Sequence, residues 1–457
     1  MDTLLKQLGA SIRLRDPIYG FIRLTPHEMR IVDSPLFQRL RRVHQLALTK
    51  FVYPSAENSR FVHSLGVVHS ATAMFAAVVN NEKTDNKVIK ALTEREKITY
   101  ATILRFAALL HDIGHIPFSH AAEEVYLDDF GHEEISCCII ENYPPIKDVL
   151  ESIEIRPKTV ASLLTSEFRP KYRLLHEIIS GQLDADRADY LLRDSHCCGV
   201  KYGEYDAARY ASMFAATGDQ DSFRLVIDEK DVYVAESFLI ARYHYNMQVP
   251  FHRTRMGYDI ALEMFLKNYE QRKISLWFSK DANNKLVDLD FNEFEYFDDN
   301  YLIERFKAQV RNGDFWSECL LRRNHLKLIV DETNNHENGE DVFNYYFERL
   351  QKAGYREGVD FFKKTVQVDI LKSLRLSENE VQNCSIDADL DDPNSILVRR
   401  HTYGIYQALT TDIRRVSWIF KHFVEKPPMI YRIYVAPEGI QEIVKDCFSA
   451  NQGVQNV

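Results

Sequence analysis

The stretch ATILRFAALLHDIGHIPFSHAA, residues 101–122, decides the fold. Its first half places apolar residues at helical spacing, which predicts a buried helix that ends near Gly114 and Pro117. His111 and Asp112 stand at the inner end of that helix. A buried carboxylate beside an imidazole needs a compensating partner, and a divalent cation that binds both is one such partner. An ordinary helix end with two polar residues is the alternative that the dipeptide alone leaves open.

Composition limits the class of protein. The chain has 457 residues, 45% of them hydrophobic, which is enough for a large core in two or three domains. A net charge of −10 disfavours a nonspecific nucleic-acid surface. Seven cysteines without a CxxC pair are typical of reduced thiols that pack in the interior. Without a signal-peptide core or an uncharged apolar stretch of about 18 residues, we expect a soluble cytoplasmic protein with no membrane contact.

The sequence before residues 101–122 predicts a hairpin and the starts of two helices. Alternation around one proline and one glycine predicts the hairpin over residues 13–24. TPHE, residues 25–28, has the pattern of a capping box. A second start at residues 34–35 precedes a predicted helix, LFQRLRRVHQLAL, over residues 36–48. This helix carries four basic side chains, Arg39, Arg41, Arg42 and His44. They form either a face exposed to solvent or a face that binds phosphate groups.

Histidines are concentrated around the same region. Arg60 and His63 open the next long helix three residues apart and therefore share one face. A lone histidine there is more often a satisfied core residue, but a later His-Asp pair on a buried helix favours a site. Neutral imidazole both binds metals and carries protons near neutral pH. Four of the chain's 16 histidines follow within residues 111–132, namely His111, His115, His120 and His132.

A second group of carboxylates lies in DADRADYLLRD, residues 184–194. Asp186 and Asp189 stand three residues apart on one helical face. Asp184 is equally well explained as a helix cap, and Arg187 as the partner of a neighbouring acid. Asp186 becomes a candidate ligand if the earlier histidines and aspartate already hold a metal.

Beyond residue 270 the patterns predict structure more than chemistry. The acidic, aromatic run over residues 287–300 predicts a solvated connector. Residues 301–380 carry helical patterns, and residues 387–394 predict a loop. SILVRR and IYRIYVAPE predict strands on either side of a helix over residues 401–423. The expected domains are a catalytic core (1–275), a helical connector (276–340) and a smaller C-terminal α+β subdomain (341–457).

Five separated motifs carry a family resemblance. They are DPIYGFIRLTPHEMRIVDSPLFQRLRRVHQL, Arg60 with His63, HDIGHIPFSH, His132-Glu133 and DADRADYLLRD. Their order and spacing resemble the HD phosphohydrolase superfamily over residues 13–260. They are most similar to its dNTP triphosphohydrolase branch, here expected without a SAM domain. The resemblance implies a mainly α fold with an HD-domain helical core, followed by the smaller α+β lobe.

The resemblance also implies roles for individual residues. A divalent metal, which is Mn, Mg, Fe, Ni or Zn, would be held by His63, His111, Asp112 and Asp186. The phosphate track would contain His115, His120 and His132, with His120 protonating the leaving oxygen and Glu123 supporting it. The phosphates would be gripped by Arg60 and Arg187. The sugar would be met by Gln45, Leu46, Tyr190 and Asp194. Further substrate contacts would come from His252 and from Tyr258, the nearest substitute for a tyrosine that the family has after that histidine. Gln248 stands where the family has a phosphate-binding arginine.

A nucleotide activator site at a subunit interface is implied in the same way, by Asp33, Gln38 and Arg41. The expected reaction is metal-dependent hydrolysis of a dNTP to a deoxynucleoside and triphosphate, in a homo-oligomer that is a dimer or a tetramer. One alternative is an HD phosphohydrolase acting on a ribonucleotide, a monophosphate or a cyclic dinucleotide. The other is a nucleotide-sensing or nucleic-acid-binding HD protein.

Overall fold

The structure is a computed structural model. It describes residues 1–85, 88, 92–127, 131–165, 167–219, 222–269, 277–280, 286–334, 336, 338–368, 395–400 and 409–448. The predicted loop at residues 387–394 lies outside these residues. The longer α-helices span Arg60–Asn80, Glu94–Leu110, His132–Asn142, Pro144–Ser152, Arg173–Ser180, Ala185–Cys198, Val232–Gln248, Arg253–Tyr269, Asp299–Val310, Phe315–Arg322, Gly339–Lys352, Trp418–Glu425 and Ile440–Phe448. Shorter ones span Asp2–Gln7, Pro26–Val32, Pro35–Arg39, His120–Tyr126, Pro157–Ala161, Ala207–Ser212 and Phe291–Glu295.

Strands form four small sheets within the described residues. Two are antiparallel pairs, Ile12–Asp16 with Gly20–Leu24 and Phe278–Lys280 with Leu286–Leu289. The four-stranded sheet has the order Leu409–Asp412, Leu397–Arg400, Ser222–Asp228, Phe214–Asp219, with one parallel pairing between Ser222–Asp228 and Leu397–Arg400. The three-stranded sheet has the order Lys327–Thr333, Met429–Val435, Phe361–Gln367 and is antiparallel.

The Arg60–Asn80 helix is the centre of the core. It packs on Glu94–Leu110 and Ala185–Cys198, the two helices that carry the remaining candidate ligands at or next to their ends. Gly66 makes the second contact possible, because a Cβ there would overlap the carboxylate of Asp189. Of the described helices, Arg60–Asn80 alone is long and apolar enough to span a membrane. In its most apolar 18-residue stretch, 72% is buried inside the protein.

The N-terminal predictions are confirmed except for one helix. The hairpin forms, and Thr25 accepts a hydrogen bond from the amide of Glu28 in the expected capping box. The helix expected over residues 36–48 is wrong in length, because the α-helix ends at Arg39 and only short 3-10 turns follow. From Val43 on, the backbone bonds instead to the segment before the next helix, which prevents further helical pairing.

The mainly α fold with a smaller C-terminal α+β part is confirmed, but several elements differ from the expectation. The supposedly helical segments contain two strands, Lys327–Thr333 and Phe361–Gln367, which flank the predicted strand Met429–Val435. The helix expected over residues 401–423 is wrong over Leu409–Asp412, which pairs antiparallel with Leu397–Arg400. Pairing of these β-prone residues with the sheet of the core outweighs their helical spacing.

Candidate active site

Four side chains from three helices meet at one point. His63 Nε2 lies 3.0 Å from Asp186 Oδ1 and 3.7 Å from Asp112 Oδ2. His111 Nε2 lies 3.3 Å from Asp112 Oδ1 and 3.8 Å from Asp186 Oδ1. The Asp186 side chain is 34% exposed, whereas His63 and Asp112 are buried. Sequence positions more than 120 residues apart are thus brought into one set of two imidazoles and two carboxylates.

This set fits a divalent cation. His111 Nδ1 bonds to the carbonyl of Ala108 at 2.9 Å, while its Nε2 is buried without a hydrogen-bond partner among the described residues. A buried imidazole nitrogen without a partner is costly unless a ligand meets it. Candidate ligand atoms of His63, His111 and Asp112 all lie within 4.8 Å of one another. Mixed imidazole and carboxylate ligands suit Mn, Fe, Ni or Zn, and Mg where carboxylates dominate.

A buried carboxylate orients His63. Its Nδ1 lies 2.8 Å from Asp189 Oδ2, and Asp189 is held in turn by Arg193 at 2.8 and 2.9 Å. Arg193 also bonds to Asp16 of the N-terminal hairpin at 2.7 Å. With Nδ1 engaged in this way, Nε2 is left for the centre of the site, which is the usual arrangement of a metal-binding histidine. Burial lowers the pKa of His63, but hydrogen bonds to Asp186 and Asp189 outweigh burial and raise it to about 10.

Arg60 connects the four-residue set to the loop that follows it. Its Nη1 lies 2.6 Å from Asp112 Oδ2, and its Nε donates to Ser119 Oγ at 2.8 Å. Burial opposes ionisation of Asp112, yet the charge of Arg60 and the neighbouring histidines hold its pKa well below the usual range. Phe118 and Ser119 both have positive φ, 56° and 52°, in the left-handed region that is unfavourable for residues other than glycine. A strained turn at a site is a common feature of functional loops.

Three histidines share one acid beside this centre. The Nδ1 atoms of His115 and His120 lie 2.8 and 2.9 Å from the carboxylate of Glu123, and that of His132 lies 3.4 Å from it. The rings of His115 and His132 stack at 3.6 Å. Burial, with Arg60 and His132 nearby, lowers the pKa of His115 to about 4, whereas the hydrogen bond to Glu123 outweighs burial and raises that of His132. The cluster therefore holds one neutral and one readily protonated imidazole side by side.

Both groups open into one cleft of about 440 Å³. Most residues expected at the site line it, namely Gln45, Leu46, Arg60, His111, Asp112, His115, His120, His132, Asp186, Tyr190 and Asp194. Asp194 is buried and accepts hydrogen bonds from Tyr245 at 2.6 Å and Asn58 at 2.7 Å. Burial raises the pKa of Asp194 to about 6, although these two donors act against the increase. His63 and Glu123 lie directly behind the lining residues that they contact.

Three expected substrate contacts lie elsewhere. Arg187 bonds to the carboxylate of Asp184 and to the carbonyl of Gly181, so the simpler explanation of a capped helix and a neighbouring ion pair holds for both Asp184 and Arg187. His252 packs its ring edge against Tyr53 and accepts from the amide of Thr254. Tyr258 is fully buried in the core. The side chains of Arg187, His252 and Tyr258 therefore do not line the cleft.

The three residues of the expected activator site do not line the cleft. Asp33 ends the Pro26–Val32 helix and is exposed. Gln38 donates to the carbonyl of Val32 at 2.7 Å and accepts from Arg41 at 2.8 Å, and Arg41 lies over the ring of Phe61 at 3.5 Å. These contacts already occupy two of the three side chains.

Sequence reasoning missed several residues of the site. Arg39 was expected on a basic face, but it is buried and donates to the carbonyl of His115. Arg255 lines the cleft and forms an ion pair with Asp259 at 3.0 Å. Ser119 could have been found, because it lies inside the HDIGHIPFSH motif. The others lack a sequence signal, since their contacts depend on how distant helices pack.

Comparison with known proteins agrees with this geometry. Residues 60–194 match the HD domain family. The deoxynucleoside triphosphate triphosphohydrolase SAMHD1 homolog of Dictyostelium discoideum is 32% identical over 291 residues, which are 59% of this chain and 53% of that protein. The chain spans about half the length of the curated relatives it matches.

Two solved structures resemble the whole fold. A hypothetical protein from Aquifex aeolicus has a TM-score of 0.71 and 26% identity, covering 95% of this chain and 99% of that one. A phosphohydrolase from Bacteroides thetaiotaomicron has a TM-score of 0.64 and 26% identity, covering 93% of this chain and 100% of that one. The chain therefore carries an HD domain in residues 60–194, and it is similar to SAMHD1 proteins and, over its whole fold, to a solved phosphohydrolase.

Proposed function

We propose that the protein is a metal-dependent hydrolase that converts a dNTP and water to a deoxynucleoside and triphosphate. One observation carries the proposal: a single cleft is lined by Arg60, a cluster of three histidines and three candidate metal ligands, with the fourth ligand, His63, directly behind them. Hydrolysis of a phosphate ester needs a Lewis acid, a cation for the phosphate oxygens and an acid for the leaving group, and each has a candidate here. The likeness to dNTP triphosphohydrolases supports the choice of substrate.

The reaction exchanges one bond for another. A water oxygen bonds to the α-phosphorus, the bond from that phosphorus to the 5′-oxygen breaks, and the 5′-oxygen takes a proton. A divalent cation held by His63, His111, Asp112 and Asp186 would supply polarisation of a phosphoryl oxygen and a lowered pKa of water. His120 is the candidate proton donor, because its side chain is 69% exposed and only its Nδ1 is engaged, by Glu123.

Charge in the cleft favours a polyphosphate. A nucleoside triphosphate carries about four negative charges, which a water-poor cleft must balance with cations. Arg60 is held at the centre of the site by Asp112 and Ser119, and Arg255 lies on the helix that packs against His120–Tyr126. These two arginines and the protonatable histidines would balance the phosphates.

The part of the cleft lined by Tyr190 and Tyr245 suits a sugar. Tyr190 and Tyr245 lie with ring centroids 5.5 Å apart, and Asp194 is held beside Tyr245. The side-chain oxygen of Gln45 is buried without a hydrogen-bond partner among the described residues, which leaves it available for a hydroxyl. We assign Gln45, Tyr190 and Asp194 to the deoxyribose 3′-hydroxyl, with Leu46 packing where a 2′-hydroxyl would be.

Activation and assembly are part of the same proposal. Asp33, Gln38 and Arg41 would bind an activating nucleotide only after the Arg41–Gln38 contact opens. A homo-oligomer in the cytoplasm is the form in which we expect this site to act.

Product identification tests the function. The protein is incubated with each dNTP and each ribonucleotide, singly and mixed, with Mn²⁺ or Mg²⁺, and the products are separated by chromatography. We expect triphosphate and a deoxynucleoside, absent from a His111→Ala, Asp112→Ala double variant. Turnover only in mixtures would indicate the activator site. Orthophosphate, pyrophosphate or ribonucleoside products would contradict the proposal.

A further inference from the structure

Asp299 lies outside the HD domain yet contacts its histidine loop, which we define as residues 111–120. The residue opens the Asp299–Val310 helix, and its side chain is 1% exposed. Oδ1 accepts a hydrogen bond from the amide of Phe118 at 2.9 Å. Oδ2 accepts from the amide of His44 at 3.0 Å and lies 2.6 Å from the Nδ1 of the same residue. One buried carboxylate thus joins two segments that are distant in sequence.

The histidine loop needs such an external contact. Phe118 and Ser119 occupy the left-handed region, and strained residues keep that conformation only where their surroundings hold them there. Ser119 accepts from Arg60, which in turn bonds to Asp112. A change in the Phe118–Ser119 turn therefore reaches both the candidate phosphate-binding arginine and the metal ligand beside it.

The second segment held by Asp299 also lines the cleft. His44 precedes Gln45, whose amide bonds to the carbonyl of Asn58 at 2.9 Å, and the amide of Arg60 bonds to the carbonyl of Val43. The carboxylate of Asp299 consequently fixes the separation between the strand-like segment of Gln45 and the turn of Ser119.

Neighbouring contacts make the anchor rigid. Asp298 caps the same helix, accepting from the amides of Asn300 and Tyr301 at 2.9 and 3.2 Å, and it also pairs with Arg42. Arg39, which donates to the carbonyl of His115, lies over the ring of Phe294 at 4.0 Å. The expectation of a solvated connector is therefore wrong for the last two aspartates of the acidic run, because both are buried, Asp298 against Arg42 and Asp299 against the histidine loop.

We propose that Asp299 is a positioning residue for the reaction: it holds the Phe118–Ser119 turn, so that Ser119 and Arg60 meet the substrate phosphates in a fixed place. The kinetic consequence rests on the proposed function. Asp299 touches neither the phosphates nor the candidate metal ligands and acts only through the turn and His44.

The test compares Asp299→Ala and Asp299→Asn with Asp314→Ala in the full chain. Asp314 is a matched control, since it caps the Phe315–Arg322 helix and accepts three hydrogen bonds, from Ser317 and Tyr269, without touching the histidine loop. Asparagine keeps an oxygen for the amide of Phe118 and loses the charge. The measurements are kcat and KM on the best nucleotide, and hydrogen–deuterium exchange of peptides that cover residues 113–122.

We expect Asp299→Ala to lower kcat about 100-fold, as for a misplacement of about 1 Å, with a smaller change in KM. Asp299→Asn should recover part of kcat, and Asp314→Ala should keep the wild-type value. Exchange in residues 113–122 should increase for Asp299→Ala alone. Equal kcat for the two alanine variants, or equal exchange in those peptides, would overturn the inference. A wild-type protein without turnover would refute the proposed function instead, and exchange would then decide whether Asp299 anchors the turn.

Discussion

The carboxylate behind His63 offers the sharpest test of how the site is organised. We predict that Asp189→Asn weakens binding of Mn²⁺ or Co²⁺ without removing any ligand. Asp189 accepts from His63 Nδ1 at 2.8 Å and thereby leaves Nε2 for the cation. An amide at this position can present its NH₂ group to the ring, which removes the acceptor that fixes the tautomer.

The size of the effect follows from the contact. Loss of an acceptor behind a metal-binding histidine typically costs about 10- to 100-fold in metal affinity, or about 1.4 to 2.7 kcal/mol. Asp189 also pairs with Arg193, so the substitution removes one charge of a buried ion pair and lowers stability by a few kcal/mol. Arg193 keeps its 2.7 Å contact with Asp16, which limits that loss.

Glu28→Gln is the matched control. Glu28 forms a buried ion pair with Arg105, at 2.7 Å, in the same core but without contact with the candidate ligands. Both variants lose one charge of a buried pair, and both should melt at a lower temperature than the wild type. Calorimetric titration with Mn²⁺, or the visible absorbance of Co²⁺, then gives the affinity at a temperature where all three proteins are folded. Equal metal affinities for Asp189→Asn and Glu28→Gln would refute the reasoning.

Three further predictions concern the cleft and its pH dependence. The Arg255→Gln variant should have a KM for the nucleotide about tenfold higher, because it loses one charged hydrogen bond. The Arg253→Gln variant is the control: it lies on the same helix turn but does not line the cleft, so its KM should stay at the wild-type value. Asp194 is ionised only above about pH 6, so KM for the nucleotide should increase as the pH falls through that value. Tyr245→Phe removes a hydrogen-bond donor to this carboxylate, so the pH at which KM begins to increase should be higher in that variant. Because His63 has a pKa of about 10, cation binding must displace its proton, and titration should show metal affinity increasing about tenfold per pH unit below that value.

Local patterns were sufficient for much of the fold but not for the centre of the site. The helical spacing around His111 and Asp112 predicted a buried helix end, whereas the grouping of both residues with His63 and Asp186 came from the family resemblance. The capping box of Thr25 and the hairpin were predicted for the same reason, since each depends on residues close in sequence.

Contacts between distant segments could not be predicted in this way. Arg187 was interpreted either as a phosphate-binding residue or as the partner of a neighbouring acid, and in the structure it pairs with the cap residue Asp184, one helical turn away. Tyr258 was chosen by its distance from His252, but the phase of its helix turns the ring into the core. Asp299 meets a loop some 180 residues earlier, and no periodicity of the sequence encodes that meeting.

The fate of the water oxygen tests the central claim most directly. Hydrolysis of a dNTP is run in water enriched in heavy oxygen, with the His111→Ala, Asp112→Ala variant beside the wild type, and both products are examined by mass spectrometry. Attack on the α-phosphorus predicts one heavy oxygen in the triphosphate, none in the deoxynucleoside, and no product from the variant. Label in the deoxynucleoside, release of orthophosphate or pyrophosphate, or equal turnover by the variant would contradict the account.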